Sequence, residues 1–411
     1  MLSWAPLLLG AINSYGPISF NYGFALYFLT YQHGFVKRGL VGEILSPLHW
    51  LPRTRLITLE YLFLAAAFGL TYVVFRPLLF GDAAERRFSA ALLCAPALLP
   101  HIGYLFAQPD VTLYSLLLLC VWLFLRAPLP VADLKAPAES EKHIAGAKAP
   151  SDSSPVEPGL KSRPIKYGGF TAAAAASCAI CCVALLEHEA FSLMFYPLIA
   201  AILLHLVLRR RLRWGVAAAH VTLFVVAFAA VMHWGALKVS PNTILAEAQA
   251  RTDVGIQRQV FDVMASTFAE QEALVRRMYT PGVLRILVAS VLLTAPYLWL
   301  LGRLVLQTLK AANARRLQLG LTLGMFASPL LLFALGHDTT RWIGAMCIDA
   351  TLFLFFVYLT DPDGSAARTT LRNWANGRSF VPWLIYLVGI GPYGATGLRA
   401  AEQMVSAWWG P

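Results

Sequence analysis

The residues able to do chemistry in this chain fall into four short stretches. His33 to Glu43 carries Lys37 and Arg38 among three glycines, Gly34, Gly39 and Gly42, with Glu43 at its end. Asp110 follows Gln108 and Pro109; Glu187, His188 and Glu189 stand together; and His337, Asp338, Arg341 and Trp342 close the set. An arginine fork can donate two parallel hydrogen bonds to a phosphate, and a lysine adds a point charge. A carboxylate, alone or beside a histidine, can take a proton from a hydroxyl. Phosphate binding by Lys37, Arg38 and Arg341 and base chemistry at Glu43, Asp110, Glu189 or Asp338 are therefore the chemistry on offer. His33, His188, His337 and Trp342 are further pocket residues.

Each stretch has a plainer alternative. Lys37 and Arg38 would also suit lipid headgroups at an interfacial helix, although basic residues there run against the inside-positive trend. Asp110 would serve as a helix cap, as would the charges of 187–189. Asp338 and Arg341, three apart, would suit a pair with each other. None of this resembles a metal site: no second pair of ligands has zinc spacing. Cys178, Cys181 and Cys182 are surrounded by Ala, Ser, Ile and Val and read as small packing residues. No cofactor is predicted; a divalent metal is left open but not indicated.

The elements that must position these residues are read from composition. Of 411 residues, 58% are hydrophobic and only 13% charged, about half the charge of an ordinary soluble chain. Apolar runs long enough to cross roughly 30 Å of hydrocarbon recur throughout, and helices satisfy their own backbone there. The chain thus reads as one all-α polytopic membrane domain over 1–411, with about 10–11 transmembrane helices. Later spans fall at 57–80, 88–106, 111–125, 168–186, 190–208, 214–234, 283–305, 317–335, 342–359 and 380–390. A first span lies before Tyr31; it lacks a basic n-region and a cleavage site, and reads as retained.

The net charge of +11 does not imply nucleic-acid binding, because the basic residues concentrate in alternate connections. Those at 80–88, 126–166, 209–213, 303–316 and 366–378 form one set, which a single orientation places in the cytoplasm. The stretches carrying the chemistry belong to the other set, on the opposite face. The connection over 127–166, rich in Pro, Ala, Lys, Glu and Ser, reads as a disordered cytoplasmic linker. By contrast, 237–281 has Ile256, Val260, Phe261, Val263 and Met264 at helical spacing, between Arg258, Gln259 and Asp262. It reads as amphipathic helices on the outer surface.

The stretch Phe35-Val36-Lys37-Arg38-Gly39-Leu40-Val41-Gly42, the turn His188-Glu189-Ala190-Phe191 and the turn Gly336-His337-Asp338-x-x-Arg341-Trp342 together resemble uncharacterised bacterial inner-membrane proteins of surface-polysaccharide clusters. More distantly the chain is similar to the GT-C glycosyltransferase superfamily. That resemblance implies a multi-pass fold in the bacterial inner membrane with an extracytoplasmic cavity, a polyprenyl-phosphate-linked sugar donor and a glycan acceptor. It also implies an acidic base near the first outer loop, where this chain departs by placing Glu43 after its basic stretch. The rival expectations are a lipid-linked oligosaccharide polymerase or ligase, and a non-enzymatic lipid-linked glycan transporter.

Overall fold

The computed structural model describes residues 23–95, 98–104, 109–127, 168–266, 268–311, 316–334, 336, 339–361 and 365–390. Within them every regular element is helical. Two short 3-10 turns, Phe24–Phe28 and Tyr31–His33, lead into α1 (Leu40–Leu45) and the 27-residue α2 (Arg53–Leu79). There follow α3 (Ala83–Leu93), α4 (Leu99–Tyr104), α5 (Asp110–Arg126) and α6 (Gly168–Glu187). Next come α7 (Phe191–Met194), α8 (Tyr196–Leu208), α9 (Trp214–Trp234), α10 (Pro241–Gln249), α11 (Arg258–Ala265), α12 (Phe268–Met278) and α13 (Pro281–Ala311). The last are α14 (Arg316–Ala327), continued by a 3-10 segment Ser328–Ala334, then α15 (Thr339–Thr360), α16 (Ala366–Asn376) and α17 (Phe380–Ile390).

Six of these helical stretches, 53–79, 169–187, 214–234, 281–311, 316–333 and 341–360, are long and apolar enough to cross a membrane. The chain is a multi-pass helical protein, with fewer full-length spans among the described residues than the ten or eleven expected. The difference has local causes. The run 88–106 does not form one helix: α3 stops at Leu93 and α4 starts at Leu99. The run 190–208 breaks at Phe195 (φ −128, ψ −28) into α7 and the 13-residue α8, whose second residue is Pro197. The 17 residues of α5 reach about 26 Å, just short of the hydrocarbon. Residues 1–22 of the expected first span, the linker beyond Ala127 and any extension past Ile390 lie outside the described residues.

At the centre is α15. Of its 18-residue apolar window, 89% is buried inside the protein, against α5, α7, α8, α13, α14, α16 and the 3-10 segment. Its sequence explains this: Ala345, Cys347, Ile348, Leu352, Phe353, Leu354, Phe355, Phe356 and Val357 cover every face of the helix, and all are buried. A helix apolar all round belongs in an interior. Around it, α2 packs on α5, α5 on α6 and α6 on α9. Within α13, Pro296 interrupts the hydrogen-bond ladder, and the Tyr386 hydroxyl donates to the Leu293 carbonyl one turn before it.

The contacts sort the connections into two ends. At one, the 31–55 connection touches the segment after α9: the Lys37 N–H donates to the Gly235 carbonyl at 2.9 Å and the Leu51 N–H to the Arg251 carbonyl at 2.8 Å. Arg251 also lies over the Phe28 ring. Here α10 and α11 bury Ile244, Ala248, Val260, Phe261 and Met264 against residues 24–29, Leu45 and Leu51, making a second small core. Over 237–281 the described residues thus form the three short helices α10, α11 and α12. At the other end Arg372 pairs with Asp82, Arg87 with Asn376, and Arg209 with Asp361 at 3.2 Å. These are the basic connections.

Candidate functional site

The site begins with two breaks in helical order. Between Tyr31–His33 and α1 the chain turns through Gly34 (φ +97) and Arg38 (φ +64). A left-handed backbone is uncommon for arginine and is retained where the surroundings impose it. Two contacts impose it here: the Lys37 bond to Gly235, and the packing of α1 on residues 24–29. Gly42 makes the second contact possible, since a Cβ there would lie 1.9 Å from the Leu29 carbonyl oxygen. The glycines of this stretch thus serve approach between segments of the chain itself. The other break is the 188–190 turn joining α6 to α7.

These breaks bring Arg38 onto Glu189. The guanidinium donates from Nε at 2.8 Å and from Nη2 at 2.5 Å to the two carboxylate oxygens, and Lys37 Nζ stands 3.7 Å from the same group. Burial pushes the Glu189 carboxyl up, but Arg38, His188 and Lys37 outweigh it and hold the carboxyl well below its usual range. The Ala190 N–H donates to His188 Nδ1 at 3.1 Å, so a neutral His188 carries its proton on Nε2. Burial, reinforced by Arg38 and Arg341, pushes His188 down to about 3.

A second pair lies alongside. Arg341, at the start of α15, donates to both oxygens of Asp110, at the start of α5, at 3.3 and 2.5 Å; Asp110 is fully buried. Arg341 thus pairs with Asp110 across the bundle; Asp338, the alternative partner three residues before it, lies outside the described residues. The charges of both pairs act on His188, so the two pairs share one neighbourhood. Glu187 completes the group. The Thr112 hydroxyl donates to it, the charges of Asp110 and Glu60 reach it, and no ion pair engages it among the described residues. Glu60, buried in α2, accepts from the Tyr27 hydroxyl. Burial, then the Glu60 and Glu187 carboxylates, hold that hydroxyl protonated, well above its usual value.

Of the residues singled out by sequence, Lys37, Arg38, Asp110, His188, Glu189 and Arg341 come together. Three do not. His33 pairs with Glu247 of α10 at 2.8 Å, and Glu43 accepts from the Tyr31 N–H at 2.8 Å at an exposed position. Trp342 is buried, edge-on to Phe333, where it packs the start of α15. His337 and Asp338 lie outside the described residues. The charges of 187–189 are not a solvated cap: Glu187 and His188 are each 7% exposed.

Sequence reasoning passed over Glu60, Tyr27 and Thr112, and two groups deeper in the bundle, Asp349 and His205. A rule that needs no structure would have found Glu60 and Asp349: each is an acid inside an apolar run. Among the described residues no group of three or more His, Cys, Asp or Glu side chains is arranged to hold a metal ion. Comparison with known proteins returns no matching family model, no matching curated protein and no matching solved structure.

Proposed function

We propose that the chain is a membrane glycosyltransferase of the GT-C type, taking sugar from a polyprenyl-phosphate donor at the extracytoplasmic face of a bacterial inner membrane, in surface polysaccharide or glycolipid synthesis. One observation carries this reading. Connections far apart in the sequence meet at one end of the bundle, where they bring Lys37, Arg38 and Arg341 together with Asp110, Glu187 and Glu189 around His188. Three cations with planar or mobile donors suit a lipid-linked phosphate, and the neighbouring acids suit a hydroxyl acceptor.

In the step proposed, the acceptor oxygen bonds to the anomeric carbon as the bond from that carbon to the donor phosphate oxygen breaks. The acceptor proton goes to a carboxylate. Asp110 and Glu189 are each engaged by an arginine, which fits them to orient cations. Glu187, with a hydroxyl donor and no ion pair among the described residues, is the acid fitted to take the proton. The departing polyprenyl phosphate gains a negative charge, which Lys37, Arg38 and Arg341 would offset.

The test is the lipid that travels with the protein. Organic extracts of purified wild-type protein are expected to contain a polyprenyl-phosphate sugar, depleted in Arg38→Ala and Arg341→Ala protein of equal yield. The Glu187→Gln protein should retain the lipid and lose transfer of its sugar. An extract without such a lipid, or one unchanged by both arginine variants, removes the reading. A lipid-linked glycan transporter is the second reading. It draws on buried acids at mid-depth, and it would carry the same lipid across the bilayer with no new glycosidic bond.

A further inference from the structure

Among the described residues, two ionisable side chains without hydrogen-bond partners lie on the central helix and its neighbour, away from the site above. Asp349 is fully buried in α15, and neither carboxylate oxygen has a hydrogen-bond partner among the described residues. His205, 1% exposed in α8, leaves both ring nitrogens equally without one. A buried polar group with no partner is costly, and an ionisable one inside a membrane span marks a functional site by default.

Their placement is ordered. Asp349, Phe353 and Phe356 recur at intervals of four and three, so they share one face of α15. The His205 ring stands edge-on to Phe353 and Phe356, 5.9 and 6.3 Å between centroids. From Arg341 at one end of the helix to Asp349 is about 12 Å along the axis, near the middle of a 30 Å bilayer. His205 lies one to two turns further on. Beyond it, at the opposite end, Arg209 pairs with Asp361 and Arg211 donates to the Thr360 carbonyl. Titratable groups thus step along one helix from end to end.

The other titratable groups packed on α15 are occupied elsewhere. Asp110 of α5 holds Arg341, and Tyr297 of α13 meets Thr351 at 3.5 Å. Arg368 of α16 donates to the Tyr358 carbonyl, Glu85 of α3 accepts from the Tyr358 hydroxyl, and His101 of α4 lies against Gly344. The described part of α14 carries Arg316 alone at its start, while α7 and the 3-10 segment carry no titratable residue. None of these groups makes a hydrogen bond or ion pair with Asp349 among the described residues, so the ligand its carboxylate calls for is a proton.

We propose that Asp349 holds an exchangeable proton in the membrane core and that His205 is the next station of a proton path along α15. The two are too far apart along the axis for direct transfer, so the proton passes between them through admitted water. The inference stands on α8 and α15 alone and is independent of glycosyl transfer.

Infrared difference spectra of the lipid-reconstituted protein between acid and alkaline pH test it. Wild type should show the carbonyl stretch of a protonated carboxylic acid that is lost as pH rises. The band should be missing from Asp349→Asn and displaced in Asp349→Glu, which also covers a failure of the Asn variant to fold. In proteoliposomes with an imposed pH gradient and a trapped pH dye, wild type should dissipate the gradient several-fold faster than Asp349→Asn or His205→Phe. A titrating band that survives unshifted in both Asp349 variants, the absence of any such band, equal dissipation rates, or dissipation that requires sodium would each overturn the proposal.

Discussion

Arg38 and Glu189, 151 positions apart in the sequence, are joined by two hydrogen bonds of 2.8 and 2.5 Å. Both side chains are largely buried, at 12% and 15% exposed. The pair ties the loop before α1 to the turn between α6 and α7, and removing either member leaves the other charge buried. Arg38→Ala is expected to cost about 3–5 kcal/mol, while the double variant Arg38→Ala, Glu189→Ala costs less than the two single changes added together. Thermal unfolding of the four proteins in one detergent closes the cycle. Additive losses would show that the two groups do not meet.

The acid side of the pH profile follows from the same turn. His188 releases its proton at about 3 in the folded protein, against about 6.5 in an unfolded chain. The unfolded chain binds that proton first, so the contribution is complete above about 6.5 and drains away as pH falls towards 3. Glu189 is also held below its ordinary value, so its contribution is complete above about 4.3 and is lost as pH falls below that. Melting temperature should therefore fall in two stages from neutral pH into acid. His188→Asn should remove the upper stage and leave the lower. A wild-type profile that is flat between pH 7 and 4 would contradict a buried neutral histidine.

Arg341 and Asp110 make a separate claim about geometry. Two guanidinium nitrogens reach two carboxylate oxygens, which one ammonium group cannot reproduce. Arg341→Lys should therefore lose about 1.5–3 kcal/mol even though the charge is kept. Asp110→Asn should cost more, since it removes a fully buried negative charge from beside Arg341. Chemical denaturation in mixed micelles ranks the two. A silent Arg341→Lys would mean that charge alone holds α5 to α15.

Much of this arrangement is legible in the chain, and what is not has identifiable causes. The span 214–234 is an apolar run bounded by Arg213, and the structure begins and ends its helix at the same residues; the helix of the last span likewise begins right after Ser379. The breaks after Leu93 and at Phe195 escape a hydropathy reading, because the flanking residues are as apolar as those within the spans; only Pro96, Pro100 and Pro197 mark them in the sequence. At the site, residue types at connection ends point to Lys37, Arg38, Glu189 and Arg341. The pairing of Arg341 with Asp110 across 231 positions depends on α5 packing beside α15, which no local spacing encodes. Glu60 and Asp349 barely alter the hydropathy of their runs, so averaging passes over them, although an acid inside an apolar run is itself the signal.

Gly42 gives a test of how tightly the basic loop is held. A methyl group at this position would meet the Leu29 carbonyl oxygen at 1.9 Å and its carbonyl carbon at 2.7 Å. Both are backbone atoms and cannot rotate away. Gly42→Ala should push α1 off residues 24–29, at a cost of about 1–3 kcal/mol or more, and move Lys37 and Arg38 relative to Glu189. Protease susceptibility of the 31–55 connection should rise with it. Unchanged susceptibility and melting would show that the two segments are not in contact.

Sidedness is the remaining claim, and two exposed positions decide it. His49 lies in the connection that reaches Arg251, while Arg210, with a left-handed backbone (φ +57), sits between Arg209 and Arg211 at the opposite end. Arginines crowd the latter end, which the inside-positive trend places in the cytoplasm. Five of the six native cysteines are buried and Cys182 is half-buried, so background labelling by a membrane-impermeant maleimide should be low. His49→Cys is expected to label in spheroplasts with intact inner membranes, and Arg210→Cys only after permeabilisation. The reverse pattern would place Arg38, Glu189 and Arg341 on the cytoplasmic side, and a donor presented at the outer leaflet could not reach them.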